Sequence, residues 1–203
     1  MDGWWWVRTL AGVGAVALVA GCGSARTQTG ATSSAIPREL LAQARPIGQG
    51  PRFHPPATGP VIGQCRRRLG LRYGAHVEVF GANRVVIVPA GIGARGPVRL
   101  SGGRVSSAAC YGSLVTLDPT GVVLVRPGSR VLLSDLFRSW GEPLSRGRVA
   151  SFAAPAGSVA VFVGGRRWSG VPGRVPLTRH AEIVVEAGPY VPPHSSYTFP
   201  SGW

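Results

Sequence analysis

Short apolar segments separated by tight turns dominate the chain from about residue 61 onwards. Residues 75–80 alternate between apolar and polar types, residues 81–84 form a Gly-Ala-Asn-Arg turn, and residues 85–88 return as a second apolar segment. After a Gly-rich loop over residues 89–103, the same pattern recurs at 114–125, with Asp118 and Gly121 placed for a type I turn. Segments of this kind pair as antiparallel hairpins, so the sequence predicts two of them.

One short helix is predicted after the second hairpin, over residues 134–141. Leu133, Phe137 and Trp140 recur on one helical face, which is the periodicity of a helix packed on a core. Ser134 is a suitable N-terminal cap and Gly141 a suitable C-terminal one.

Two further strands are predicted at residues 158–163 and 182–186. The order of two hairpins, a helix and two more strands indicates an α+β domain, in which a mainly antiparallel sheet packs against one short helix. A β-grasp-like roll fits that order. Residues 61–203 are long enough for a single domain with its own core.

The segment before this domain has a different composition. Residues 22–60 are rich in Ser, Thr, Gly, Ala, Gln and Pro and hold few residues that could form a core. Such segments remain extended and mobile in water, so the sequence predicts a flexible tether there.

The N-terminus carries an apolar run over residues 10–20, preceded by a single basic residue, Arg8. This run is shorter than the roughly 20 residues that cross a bilayer, and its length is typical of a signal-peptide core. It ends in Leu-Val-Ala-Gly-Cys, with Cys22 last. Small residues before the cysteine suit a peptidase cleft, and the thiol can be acylated.

This motif resembles the lipobox of bacterial lipoproteins. The resemblance implies that residues 1–21 are a cleaved signal peptide, and that Cys22 carries acyl chains which hold the protein on the outer face of the cytoplasmic membrane. Two alternatives remain open, because Asp2 weakens the basic N-terminal region. One is an uncleaved anchor helix with Trp4–Trp6 at the interface, and the other is a simple secreted form.

The charge of the chain is strongly positive. All 22 basic residues are arginine, and the formal net charge is +14. Such a charge attracts anionic partners, but export and the lack of interleaved aromatic and basic residues argue against nucleic acid. We interpret the arginines first as a solvated surface. The alternative is an Arg-rich binder of anionic envelope polymer or lipid.

Two cysteines remain once Cys22 is assigned to lipid. Cys65 and Cys110 would lie in an oxidising compartment, where a disulfide is the expected state. A catalytic thiol is the alternative, although Cys65 has no histidine in its own segment to activate it.

Residues 65–203 also resemble an uncharacterised family of exported bacterial proteins that is rich in histidine. The framework shared with that family comprises Cys65, Ala75-His76, the Val-Pro-Ala-Gly-Ile-Gly run at 88–93, Cys110, Asp118, Gly121, Trp140-Gly141-Glu142-Pro143-Leu144 and Tyr197-Thr198-Phe199-Pro200. In that family, histidines alternate along two hairpin strands, and such a cluster would suit Zn or Cu.

Most of these histidine positions hold other residues in this chain, namely Arg72, Gly74, Val115, Leu117 and Leu124. Aliphatic side chains cannot coordinate a metal, so the sequence predicts that the family's cluster is lost and that these positions face a core. His76, Glu78 and Asp118 remain as a weaker alternative site for Zn or Cu.

The other polar residues suggest no catalytic machinery. His180 precedes a strand and His194 lies in a Pro-rich tail, so both are expected to be solvated loop residues. No nucleophile elbow, phosphate loop or zinc-protease motif occurs. The sequence therefore predicts a non-catalytic binding or interaction domain without a cofactor, whose partner is an anionic envelope component or another envelope protein. The alternative is a metal-binding protein or metalloenzyme.

Overall fold

The computed structural model describes residues 45–154 and 157–203 of the 203-residue chain. The predicted signal peptide, Cys22 and residues 22–44 of the predicted tether lie outside the described residues. The strands are β1 (Tyr73–Gly81), β2 (Arg84–Val86), β3 (Ala94–Arg95), β4 (Arg99–Ser101), β5 (Arg104–Ser107), β6 (Cys110–Tyr111), β7 (Leu114–Val115), β8 (Val122–Val125), β9 (Leu144–Ser145), β10 (Arg148–Val149), β11 (Phe152–Ala153), β12 (Val159–Val163), β13 (Arg166–Arg167) and β14 (Glu182–Ala187). The α-helix, α1, spans Leu133–Trp140, and short 3-10 helices lie at Pro51–Phe53 and Pro172–Arg174.

A seven-stranded sheet forms the centre of the described part of the chain. Its strand order is β13-β12-β14-β1-β8-β7, and β2 also pairs with β1. Both predicted hairpins are confirmed, as β1–β2 and β7–β8, and all pairs except β1–β14 are antiparallel. The predicted α+β class, with a mainly antiparallel sheet and one short helix, is therefore confirmed. The parallel β1–β14 pair is compatible with the suggested β-grasp-like roll.

The two faces of the sheet have different roles, because successive residues of a strand point to opposite sides. Val77 and Val79 of β1 and Ile183 of β14 are buried in the main core with Phe137 and Trp140 of α1. The opposite face is covered partly by residues 188–203, which form neither helix nor strand. We call these residues the C-terminal strap. Polar side chains concentrate beneath it.

Helix α1 begins earlier than the sequence predicts and is capped differently. Its N-cap is Leu132, and Ser134, predicted as the cap, makes no capping hydrogen bond. Instead the Asp135 carboxylate accepts a hydrogen bond of 3.0 Å from the Leu132 backbone N–H. Asp135 at the third helical position can reach back to the cap in this way, whereas Ser134 lies inside the first turn. The C-terminal cap, Gly141, is confirmed, with φ 93°.

The chain packs against the sheet before residue 61. Ile47 forms a bridge with Val85 of β2, and Phe53 is buried in the main core. The Trp140 indole N–H donates to the carbonyl oxygen of Pro55 at 3.1 Å. The C-terminal part of the segment that the sequence assigned to a tether is therefore packed, because it supplies the cover for this end of α1.

A disulfide joins Cys65 to Cys110, with a Cα–Cα distance of 5.4 Å. This confirms the predicted bridge. It ties the segment before β1 to β6, which itself pairs with β3 in the region predicted as a Gly-rich loop. Residues 89–103 thus contain the two short strands β3 and β4, where the alternating pattern is too brief to be recognised from the sequence.

Candidate functional site

A group of acidic and imidazole side chains lies on the strap-covered face of the sheet. The parallel register of β1 and β14 places His76 directly beside Glu182. Glu78 is two residues further along β1 and so shares the face of His76. One ligand atom from each of these three residues lies within 4.8 Å of the others. We call His76, Glu78 and Glu182 the His76 cluster.

Both nitrogens of His76 have partners. Nδ1 lies 2.8 Å from Glu182 Oε2, and Nε2 lies 2.9 Å from the carbonyl oxygen of Thr120. A carbonyl oxygen can only accept, so Nε2 must carry the hydrogen of that bond. The turn before β8, which carries Thr120, thereby determines that Nδ1 is the nitrogen left to interact with the carboxylates.

Glu182 is almost completely buried, with 3 % of its surface exposed. Its Oε1 has no hydrogen-bond partner among the described residues. Burial raises the pKa of Glu182, and the hydrogen bond between Glu182 and His76 partly offsets this increase. A buried carboxylate oxygen without a partner is rare in folded proteins and usually has a specific cause.

Glu78 is held by a residue of the C-terminal strap. The Nδ1 atom of His194 lies 2.9 Å from each oxygen of the Glu78 carboxylate. Because a carboxylate only accepts, Nδ1 of His194 carries the hydrogen. The expectation that His194 is a solvated loop residue is wrong in this respect, since the strap lies over the sheet and brings the imidazole to Glu78.

Two aromatic side chains of the strap also pack on this side of the sheet. The Tyr197 ring stacks on His76, with 3.8 Å between ring centroids and 13° between the ring planes. Phe199 stacks on His180 at 4.8 Å, and His180 Nε2 lies 2.7 Å from the Trp203 carbonyl oxygen. His180 is exposed, as expected, but it anchors the end of the strap.

Asp118, the third residue of the predicted alternative site, does not join the His76 cluster. Its carboxylate pairs with the Arg104 guanidinium. The predicted set of His76, Glu78 and Asp118 is therefore only partly brought together, and Glu182 stands where Asp118 was expected. Glu182 was missed because its pairing with His76 depends on the β1–β14 contact, although a glutamate opening an apolar strand was a visible signal.

The positions that hold histidine in the resembled family are structural here. Val115, Leu117 and Leu124 are buried in one apolar cluster, as predicted. A Cβ atom on Gly74 would lie 2.7 Å from Phe199 Cδ1, so the strap leaves no room for a side chain there. Arg72 is 2 % exposed, and its guanidinium donates to backbone carbonyl oxygens.

A cavity of about 140 Å³ adjoins the His76 cluster. It lies where β8 and β2 leave a gap along the same edge of β1, and its lining includes His76, Glu78, Thr120 and Gly121. A space of this size suits water molecules or one very small ligand beside the cluster.

Comparison with protein-family models, curated proteins and solved structures found no match for this chain. The resemblance to lipoproteins and to the histidine-rich family therefore stays a prediction. Over residues 45–154 and 157–203, no helix has the length and apolar character needed to cross a membrane.

Proposed function

We propose that the protein is an exported lipoprotein, anchored through Cys22 at the outer face of the cytoplasmic membrane, whose domain is a non-catalytic binding module. The binding site is the His76 cluster beneath the C-terminal strap. The anchor places this site outside the cell membrane, at the end of the segment between Cys22 and the packed residues from 45 onwards.

The Cys65–Cys110 disulfide is the observation that supports export. Structural disulfides persist in oxidising compartments and are rare in the cytosol. The bridge also accounts for every cysteine except Cys22, because the chain has three. The remaining cysteine is the one that follows Leu-Val-Ala-Gly, where acylation is expected.

The geometry of the His76 cluster favours binding over catalysis. A general acid or base must reach the proton of a substrate, but both His76 nitrogens already contact the protein. Tyr197 covers one face of the ring. The cluster can therefore hold a very small ligand between its side chains, whereas a larger substrate would have to displace the strap.

Membrane fractionation of a Cys22→Ala variant tests the anchor. We expect the wild-type chain in the membrane fraction and the variant in the soluble extracytoplasmic fraction. The matched control is Cys65→Ala/Cys110→Ala, which also loses cysteines but keeps the acylation site and should stay with the membrane. Membrane retention of Cys22→Ala at the wild-type level would instead favour an uncleaved anchor helix.

A second candidate function is the binding of an anionic envelope component, for which one cavity provides support. The cavity has a volume of about 400 Å³ and is lined by Arg66, Arg68, Leu69, Gly70, Leu71, Arg126 and Pro127. The pKa of the neighbouring Arg72 is lowered to about 10 by burial and by the charges of Arg126 and Arg66. This repulsion between guanidinium groups would be relieved by a bound anion.

Sedimentation of the unlipidated Cys22→Ala protein with vesicles tests this second candidate, because acyl chains would bind the vesicles by themselves. We expect Arg66→Gln/Arg68→Gln to weaken binding to anionic vesicles more than Arg84→Gln/Arg99→Gln, which removes the same charge elsewhere. Binding should also fall as salt rises, since exposed charge contacts are screened. Equal losses in the two variants would indicate a general effect of net charge.

A further inference from the structure

We propose that the His76 cluster is a binding site for one divalent transition-metal ion, Zn²⁺ or Cu²⁺. The ligands are Nδ1 of His76 and carboxylate oxygens of Glu182 and Glu78, and His194 is a positioning residue. This inference rests on the binding role proposed above and names the chemical class of the ligand.

The hydrogen-bond partners of His76 leave one ring nitrogen available as a metal ligand. Since Nε2–H is donated to the Thr120 carbonyl, the second nitrogen of a neutral imidazole is an electron-pair donor. That nitrogen, Nδ1, faces the Glu182 carboxylate at 2.8 Å. Two electron-pair donors at this distance need a cation that contacts both, either a shared proton or a metal ion lying to one side of the pair. Metal-ligating histidines commonly donate their other ring N–H to a backbone carbonyl, as His76 does.

The unpartnered oxygen of Glu182 also favours a metal ion. Glu182 Oε1 is buried and lacks a hydrogen-bond partner among the described residues. A proton shared between His76 and Oε2 would leave Oε1 unsatisfied, at a substantial cost in free energy. A metal ion bound by both oxygens of the carboxylate would satisfy Oε1 as well as Oε2, whereas a shared proton satisfies Oε2 alone.

Glu78 completes the ligand set, and its orientation depends on the strap. His194 donates to both oxygens of Glu78, which is the kind of outer contact that orients ligating carboxylates. This contact fixes the Glu78 carboxylate in one position, whereas a solvated acidic side chain on the surface has no such partner. Glu78 has a side-chain exposure of 21 %, so the carboxylate is available both to the cluster and to the adjoining cavity.

The dimensions and donor types fit a transition metal. Zn–N and Zn–O bonds are about 2.0–2.2 Å, so ligand atoms around one ion lie at most about 4.4 Å apart. The ligand atoms of the cluster lie within 4.8 Å of one another, so small side-chain rotations would close the group. An imidazole with carboxylates suits Zn²⁺ and Cu²⁺, whereas Mg²⁺ and Ca²⁺ prefer oxygen ligands alone.

Isothermal titration of the full-length protein in detergent, after treatment with EDTA, tests the proposal. We expect Zn²⁺ and Cu²⁺ to bind at one ion per chain, and Mg²⁺ and Ca²⁺ not to compete. Glu182→Gln, which preserves the shape of the side chain, should weaken Zn²⁺ binding at least about 10-fold. His54→Gln is the matched control, because the His54 side chain contacts the Gly48 carbonyl oxygen, away from both the cluster and the strap, and it should bind as the wild type does.

His194 has its own test. His194→Asn places an N–H near the position of Nδ1 and should retain most of the affinity, whereas His194→Leu should lose about 10-fold with the stoichiometry unchanged. A purely structural role would make the two variants alike. The melting temperature of each metal-free variant shows whether it is folded before titration.

Two results would overturn the metal site. One is the absence of Zn²⁺ and Cu²⁺ binding by the folded wild-type protein, and the other is undiminished binding by folded Glu182→Gln. Membrane attachment through Cys22 is measured independently, so it can hold while the metal site fails. Binding of a single ion that Glu182→Gln abolishes would support both the site and the binding role.

Discussion

At the scale of single residues, a buried arginine organises the region around the disulfide-linked segments. The Arg72 guanidinium donates to the carbonyl oxygens of Leu69, Gly112 and Ser113 at 2.9–3.1 Å. These acceptors come from two separate parts of the chain, so one side chain joins them. In the sequence Arg72 was notable only as a replacement for histidine.

Replacing Arg72 should be costly. We expect Arg72→Met to lower the free energy of unfolding by at least about 3 kcal/mol, because buried carbonyl oxygens lose their donors. Arg67→Met is the control, since Arg67 is exposed, and it should change stability by less than about 0.5 kcal/mol. Urea denaturation measures both. Similar values for the two variants would show that the Arg72 contacts contribute little.

Glu186 provides a prediction about pH. It is 2 % exposed, and burial raises its pKa from 4.5 to about 7, although the Val191 backbone N–H and the charges of Arg167 and Arg45 act in the opposite direction. Between these two pH values the unfolded carboxyl group is ionised while the folded one keeps its proton. The folded state is therefore favoured at the lower pH.

We expect stability to fall as pH rises from about 4.5 to 7, by up to about 3 kcal/mol for this group, and then to level off. Glu186→Gln cannot ionise and should lack this part of the pH dependence. Urea denaturation of both proteins at pH 5 and pH 8 gives the difference. Parallel pH profiles would assign the dependence to other groups.

At the scale of elements, α1 shows that its capping depends on contacts which the sequence pattern does not reveal. The residue before the helix, Leu132, bridges to Pro176, so the helix is capped two residues earlier than a Ser134 cap would place it. Asp135 then serves both the Leu132 N–H and the Arg138 guanidinium.

Two alanine variants separate these roles. Asp135→Ala should lower the free energy of unfolding by about 1 kcal/mol, because the backbone N–H at the helix start loses its acceptor. Ser134→Ala should have almost no effect, since Ser134 is exposed and does not cap the helix. Thermal unfolding compares the two variants. A larger loss of stability for Ser134→Ala than for Asp135→Ala would show that Ser134 caps the helix.

At the scale of the whole molecule, the disulfide and the C-terminal strap both connect distant parts of the chain. Cys65 and Cys110 are 45 residues apart, and the strap covers strands that precede it by more than 100 residues, as the Glu78–His194 contact shows. The disulfide limits the conformational freedom of the unfolded chain. The strap covers a surface that the sheet would otherwise leave exposed.

Removal of the disulfide should lower the free energy of unfolding by about 4 kcal/mol, the chain-entropy value for a loop of about 46 residues. Cys65→Ala/Cys110→Ala tests this by chemical denaturation. Reduction of the wild-type protein should give a similar loss, and the variant should not respond to reductant. A reductant-insensitive wild type would show that the bridge adds little.

The candidate site was only half predictable for a physical reason. His76 and Glu78 lie on one strand, and the period of two places them on the same face without any knowledge of the fold. Glu182 is 106 residues from His76 in the chain, and Asp118 was closer in sequence and equally acidic. Asp118 pairs with Arg104 and not with His76, and this pairing depends on where the β4–β5 hairpin packs.

The sequence by itself determined the local structure: the β1–β2 and β7–β8 hairpins, α1 with its glycine end, and the two cysteines available for a bridge. These features follow from side-chain periodicity and turn residues, which act over a few positions. The tertiary structure alone decided the parallel β1–β14 register, the path of the strap and the burial of Glu182. Those depend on which apolar faces cover one another, and local patterns carry no information about that choice.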